Sequence, residues 1–142
     1  MSELKAQLVE IIEEKRLMSV FQPIVSLATQ QIFSFEALIR GPSNSIYHNP
    51  ISLFSYAEQF NLTAELEHAC RKVSICEYAQ LNLKHKLFLN VSPIILLDSD
   101  FKKGEILRFL KDNNISPDSV VIEITEQQPI EDFSIMRTAL NH

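Results

Sequence analysis

Three strand-like segments of this chain each carry one acid or amide near their C-terminal end. They are Glu36 in Ile32 to Arg40, Asn90 in Leu87 to Ser92, and Glu123 in Val120 to Thr125. The segments are otherwise near-continuous apolar runs, the pattern of strands covered on both faces. A carboxylate inside such a strand costs several kcal/mol unless it is paired or binds a cation. On successive parallel strands the three side chains would converge at one end of the sheet, the end where α/β folds build their sites. Two carboxylates and an amide carbonyl offer only oxygen, which suits Mg²⁺, Mn²⁺ or Ca²⁺ rather than Zn²⁺. Arg40 lies four residues after Glu36, on the same strand face, where its planar fork can hold a phosphate. The plainer alternatives are that each acid faces water at a strand end and that Arg40 simply pairs with Glu36. The residues alone predict a cation site with an anion clamp beside it.

The elements around these residues follow from periodicity. Leu4, Leu8, Ile11 and Ile12 recur at helical spacing behind Ser2, a suitable N-cap. A strand follows from Val20 to Leu27, and its Pro23 favours an edge position. Thr29-Gln30-Gln31 links it to the strand of Glu36. Gly41 to Ser45 is a turn cluster in a loop that runs to Pro50. Helices are predicted over Leu53 to Phe60 behind Ser52, and over Ala64 to Gln80 with Leu62, Leu66, Ala69, Cys70, Val73 and Cys76 on one face. The strand of Asn90 leads through Pro93 to Leu97 into a helix from about Lys103 to Asp112. A turn at Asn113 to Pro117 precedes the strand of Glu123, and Pro129 opens a last helix with Ile130, Phe133, Met136 and Leu140 facing inward. From the second strand onward, strand and helix alternate, as in a parallel α/β fold.

Composition sets the outer bounds. The 142 residues suffice for one domain, and 46% apolar against 22% charged residues is the balance of a globular chain. No apolar run reaches the ~18 residues of a spanning helix, and the N-terminus lacks the basic start and apolar core of a signal peptide. A net charge of −5 argues against binding a nucleic-acid polymer or an anionic membrane. Two cysteines with no metal-type spacing around them point to a reduced, cytoplasmic chain. The four histidines form no paired-ligand spacing.

Phe35-Glu36-Ala37-Leu38-Ile39-Arg40, Leu89-Asn90-Val91-Ser92-Pro93 and Ile122-Glu123-Ile124-Thr125-Glu126 resemble, in order and spacing, the signature motifs of the bacterial EAL domain. Gln22-Pro23-Ile24-Val25 resembles that family's opening strand. The resemblance implies a modified TIM barrel whose first strand runs against its neighbours. It also implies a phosphodiesterase that opens cyclic di-GMP to linear pGpG with two Mg²⁺ or Mn²⁺ ions. Carried over by position, Glu36, Asn90 and Glu123 correspond to ligands of the first metal. Arg40 corresponds to a phosphate contact, Gln22 to a nucleotide contact, and Glu126 to an acid that steadies a loop over the metals. Gly41-Pro42 departs from the bulky apolar residue that many members carry there.

A whole barrel needs roughly 250 residues, and no Asp-Asp pair like the one expected on the family's next strand occurs in this sequence. The expectation is therefore an α/β, partial TIM-barrel fold of four strands. Residues 1–18 would form an amphipathic helix packed on the barrel, and residues 19–142 the first half of an EAL domain, ending before the Asp-Asp motif. Such a chain is expected to be inactive alone and to hold Mg²⁺ or Mn²⁺ at most weakly. It is also expected to form a homodimer or larger species burying well above ~1,600 Å², since an open edge and an uncovered apolar face promote association. The alternatives are a non-catalytic module that binds cyclic di-GMP or a protein partner, and an unrelated metal-binding α/β domain.

Overall fold

The computed structural model describes residues 2–98, 101 and 104–124. Its elements run α1 (Glu3–Glu13), β1 (Met18–Val25), β2 (Ile32–Arg40), α2 (Pro50–Gln59), α3 (Thr63–Gln80) and β3 (Lys86–Val91). A 3₁₀ helix (Pro93–Leu97), α4 (Glu105–Asp112), a 3₁₀ turn (Pro117–Ser119) and β4 (Val120–Ile124) complete them. The four strands form one sheet in the order β1-β2-β3-β4. β1 is antiparallel to β2, whereas β2, β3 and β4 are parallel. Pro23, which has no amide hydrogen to give a ladder, thus sits in the edge strand β1. The helix expected from Pro129 lies outside the described residues.

Several boundaries differ from the sequence reading, each for a local reason. β1 begins two residues early, because Ser19 is buried, and stops before Leu27, which is 94% exposed in the turn. The cap of α2 is Asn49 rather than Ser52. The Asn49 side chain accepts from the Ile51 amide at 2.8 Å, and Pro50, preset for a helical φ, takes the first position. Pro93–Leu97, read only as an apolar stretch, closes into 3₁₀ turns. α4 starts after Gly104, which takes φ +80°. With only two glycines in the chain, the residues that close the helices in left-handed backbone are Lys15, Asn61, Asn82 and Asn114. The amides of Arg16, Leu62 and Ile115 return to Ile11, Ala57 and Leu110 respectively, satisfying carbonyls that the helix ends leave open.

One irregularity marks the β1–β2 hairpin. The ladder pairs Ile24 with Ser34 but Val25 with Ile32, so Phe33 is an extra residue on β2.

The helices pack on the outer side of the sheet. Leu8, Ile11 and Ile12 of α1 join Ile39, Tyr47, Leu53, Leu66 and Val73 in one cluster; Ala37, Ile75, Tyr78, Leu87, Leu89 and Leu110 form a second behind β2 and β3. α3 is covered on two sides, and its buried set includes Glu67, Arg71, Ser74 and Tyr78 as well as apolar residues. Cys76, expected on the inner face with Cys70, is exposed. The turn of the helix points it away from both clusters.

The polar residues of α3 are its fastenings. Arg71 donates to Glu105 of α4 at 2.6–2.7 Å, with both side chains 3% exposed or less, and lies over the Phe101 ring. His68 Nδ1 meets the other Glu105 oxygen at 2.7 Å. Ser74 donates to the Ser19 hydroxyl, Glu77 accepts from the Ser19 amide at 2.9 Å, and Tyr78 donates to the His85 carbonyl. Glu67 accepts from the Ser92 amide at 3.0 Å. Burial pushes the Glu67 carboxyl above its ordinary range, against the lowering pull of the Ser92 amide, Arg71 and the Ser92 hydroxyl.

Two outcomes follow. Glu105→Ala leaves the Arg71 charge buried without its partner and is expected to cost about 3–5 kcal/mol in urea unfolding. For Glu67, the raised folded-state value means that the unfolded chain releases this proton first as pH rises, so its ionisation removes stability above the ordinary carboxylate range. Glu67→Gln should therefore unfold with the parent protein at about pH 4 and be the more stable of the two at about pH 8.

Candidate functional site

The inner face of the sheet, opposite the helices, carries the residues singled out by sequence. β-strand alternation puts Glu36, Leu38 and Arg40 on one face of β2, and the parallel register sets Glu36 beside Phe88. Asn90, two residues on, shares the face of Phe88 and stands level with Glu123 of β4. On the other side Gln22 of β1 lies directly across from Glu36. Gln22, Glu36, Asn90 and Glu123 thus form a row across all four strands. The reversed direction of β1 does not disturb that row, because opposite residues of an antiparallel pair share a face.

Side-chain contacts tighten the middle of the row. Asn90 Nδ2 donates to Glu36 Oε2 at 2.8 Å and lies 3.4 Å from the Ala37 carbonyl. Its amide hydrogens are thereby directed to β2, and Asn90 Oδ1 is left buried without a partner. Among the described residues Glu123 Oε2 is likewise buried without a partner. Burial, then the nearby Glu36 charge, then a hydrogen bond between the two carboxyl groups push Glu123 above its ordinary range. A carboxyl raised by burial and by a neighbouring carboxylate, beside two buried oxygens with nothing to accept from, is what a cation would relieve. The donor set is all oxygen and fits a hard divalent ion. Among the described residues no group of three or more His, Cys, Asp and Glu is placed to hold a metal, so the amide oxygen is needed to bring the set to three.

Arg40 stands apart from this cluster. Four residues of extended strand separate it from Glu36, roughly 13 Å at about 3.3 Å per residue. Its Nη1 donates to the adjoining Ile39 carbonyl at 2.8 Å, so the simple Arg40–Glu36 pair is not what the fold builds. Gly41 follows it closely against the 41–48 loop: a Cβ there would stand 2.1 Å from the Tyr47 carbonyl oxygen. That contact excludes any larger residue at this position, and the loop returns through the Gly41 amide to the His48 carbonyl and through His48 Nδ1 to the Gly41 carbonyl. Glu126 lies outside the described residues. The sequence reading missed Glu67 and Glu77, whose carboxylates hold the end of β3 and the start of β1. The signal for Glu67 was the run of polar residues 67, 71 and 74 at helical spacing, framed by apolar residues on both sides; Glu77 had none.

Comparison with known proteins places the chain in a family. The sequence pattern of the family described as "EAL domain" matches residues 5–142. A protein of Escherichia coli (strain K12) named "Probable cyclic di-GMP phosphodiesterase PdeI" is 31% identical over 117 residues, covering 78% of this chain and 15% of its own length. Klebsiella pneumoniae BlrP1, solved as a complex with calcium and cyclic di-GMP, superposes with a TM-score of 0.73 at 29% identity. The match covers 89% of this chain and 31% of that one. The same protein has been solved with manganese and cyclic di-GMP. The EAL domain of Xanthomonas citri FimX has a TM-score of 0.78 at 17% identity over 96% of this chain and 54% of its own, a likeness of fold. The chain therefore spans between about a seventh and about half of these relatives.

The site's own chemistry gives the third expectation. Glu123→Gln removes an anionic oxygen from the cluster and should weaken Mn²⁺ binding at least about tenfold by calorimetry, a floor set by what even an outer partner of a metal contributes.

Proposed function

Because the chain belongs to the EAL domain family, we propose that it serves cyclic di-GMP signalling by binding the dinucleotide over a divalent cation. The observation that carries this reading is the pair of buried, unpartnered oxygens, Asn90 Oδ1 and Glu123 Oε2, beside the Glu36 carboxylate. Glu36, Asn90 and Glu123 would hold the ion, Mg²⁺ or Mn²⁺. A bound ion supplies charge stabilisation and an acidified water for phosphodiester hydrolysis. Gln22, across from Glu36 on the same face, is suited to a nucleotide edge through its amide. Arg40, farther along β2, is suited to a phosphate through its planar fork. The calcium and manganese complexes of BlrP1 with cyclic di-GMP support both the cation class and the ligand.

Hydrolysis to pGpG by the two-metal scheme needs both attacking and leaving oxygens to be stabilised. These 142 residues bring one three-ligand set and no Asp-Asp pair, so by themselves they are a binding element and not a complete hydrolase. Residues that act as a unit in catalysis lose several orders of magnitude together. Free thiols at Cys70 and Cys76 support a reducing compartment such as the cytoplasm.

Incubating these 142 residues with cyclic di-GMP and Mn²⁺, followed by chromatography for pGpG, should give no product above the uncatalysed level. Turnover near that of a complete domain would overturn this reading. Cyclic di-GMP should still bind in calorimetry with Mn²⁺ present, and Arg40→Ala should weaken that binding. Light scattering on the same chain should report a dimer or larger species, because Val20, Leu38, Phe88 and Val121 share an inner face that no described helix covers. A stable monomer at micromolar concentration would refute the assembly.

A further inference from the structure

Glu67 belongs to α3, on the outer side of the sheet, yet its carboxylate ends at the tip of β3. Oε1 accepts from the Ser92 amide at 3.0 Å, Oε2 is buried without a partner, and the residue is 7% exposed. Ser92 is the N-cap position of the 3₁₀ helix, in extended backbone, and stands two residues beyond Asn90. β3 stops at Val91, so the next amide has no ladder carbonyl waiting for it. Glu67 supplies that acceptor from the opposite face of the sheet.

For packing alone this is a poor choice of residue. Desolvating a carboxylate costs several kcal/mol, and an apolar side chain of similar volume would fill the space without that cost. What the side chain adds is a hydrogen-bond acceptor for one backbone amide, at 3.0 Å. It fixes the path of the chain where β3 bends into the 3₁₀ helix, two residues beyond Asn90, whose side-chain oxygen is buried without a partner among the described residues. Asn90 is already held from one side through Nδ2. Its backbone needs a second restraint if Oδ1 is to keep its aim.

Resting on the cation-site reading above and extending it, we propose that Glu67 is a positioning residue, clamping the Ser92 amide so that Asn90 Oδ1 stays directed at the ion. Glu67 touches neither ion nor substrate. It acts through two residues of backbone, as outer partners of metal ligands do elsewhere.

The test uses the full chain and two readouts. One is Mn²⁺ affinity by calorimetry. The other is the ¹H–¹⁵N signal of the Asn90 side-chain amide in the metal-free protein, assigned by its loss in Asn90→Asp. Glu67→Leu fills the volume and accepts nothing; it should move the Asn90 signal and weaken Mn²⁺ binding by about 10-fold or more. Glu67→Gln keeps an Oε1 acceptor and should restore both. Ser92→Pro deletes the donor instead. Its φ of −75° already suits proline, so it reports on the clamp even where Glu67→Leu fails to fold. A folded Glu67→Leu or Ser92→Pro protein with an unmoved Asn90 signal overturns the proposal, whatever the metal titration gives. Failure of the cation reading looks different: Glu123→Gln would then leave Mn²⁺ binding intact.

Discussion

The ion pair between Arg71 and Glu105 joins α3 to α4 where water cannot reach it, and α3 also packs against α1, α2 and the first three strands. Hydrophobic contact alone would let α3 slide or roll against the sheet, because apolar surfaces carry little directional information. The polar groups along the helix remove that freedom. Glu67, Arg71 and Tyr78 reach the end of β3, α4 and the approach to β3, and Ser74 and Glu77 both hold Ser19 at the start of β1. Buried polar groups of this kind are costly when unpaired and specific when paired. α3 is therefore less a piece of core than a ruler against which strand ends are set.

That alignment matters because the inner face has its own electrostatic difficulty. Glu36 and Glu123 are brought within hydrogen-bonding reach of each other, which two ionised carboxylates resist. Asn90 lies between the strands that bear them and can satisfy only one side at a time. Its hydrogens go to β2, which leaves its oxygen, like Glu123 Oε2, buried without a partner among the described residues. The cluster is stressed as it stands, and the stress has the sign that a positive ion removes. Arg40 does not remove it, since its guanidinium is turned to the Ile39 carbonyl farther along the strand.

Much of this was legible in the sequence. Acids and an amide inside apolar strands gave Glu36, Asn90 and Glu123, and alternation put Arg40 on their face. The antiparallel first strand came from the family resemblance and not from any pattern in residues 18–25. What stayed hidden has one cause: periodicity reports which face is apolar, not which polar residues are buried against a partner far off in sequence. Nothing in the apolar periodicity of α3 marks Glu67 and Arg71 as buried, and their partners Ser92 and Glu105 lie far along the chain. The same limit misjudged Cys76, which a broad apolar stripe seemed to include. Boundaries moved where a single capping residue decided them, as Asn49 did ahead of Pro50.

The extra residue in the β1–β2 hairpin has a consequence for how this stretch tolerates change in length. Pairing counted straight back from Val25 and Ile32 would set Gln22 opposite Phe35; with Phe33 bulged out, it stands opposite Glu36. Side chains alternate with a period of two, so a slip of one residue sends a strand's inner set to the outer face. The bulge therefore acts as a phase shifter between two strands that must present amide and acid together. Between Ile24 and Glu36, gain or loss of one residue is not ordinary loop variation. It exchanges inside for outside along one strand, and only paired changes in length preserve the parity on which the row across the sheet depends.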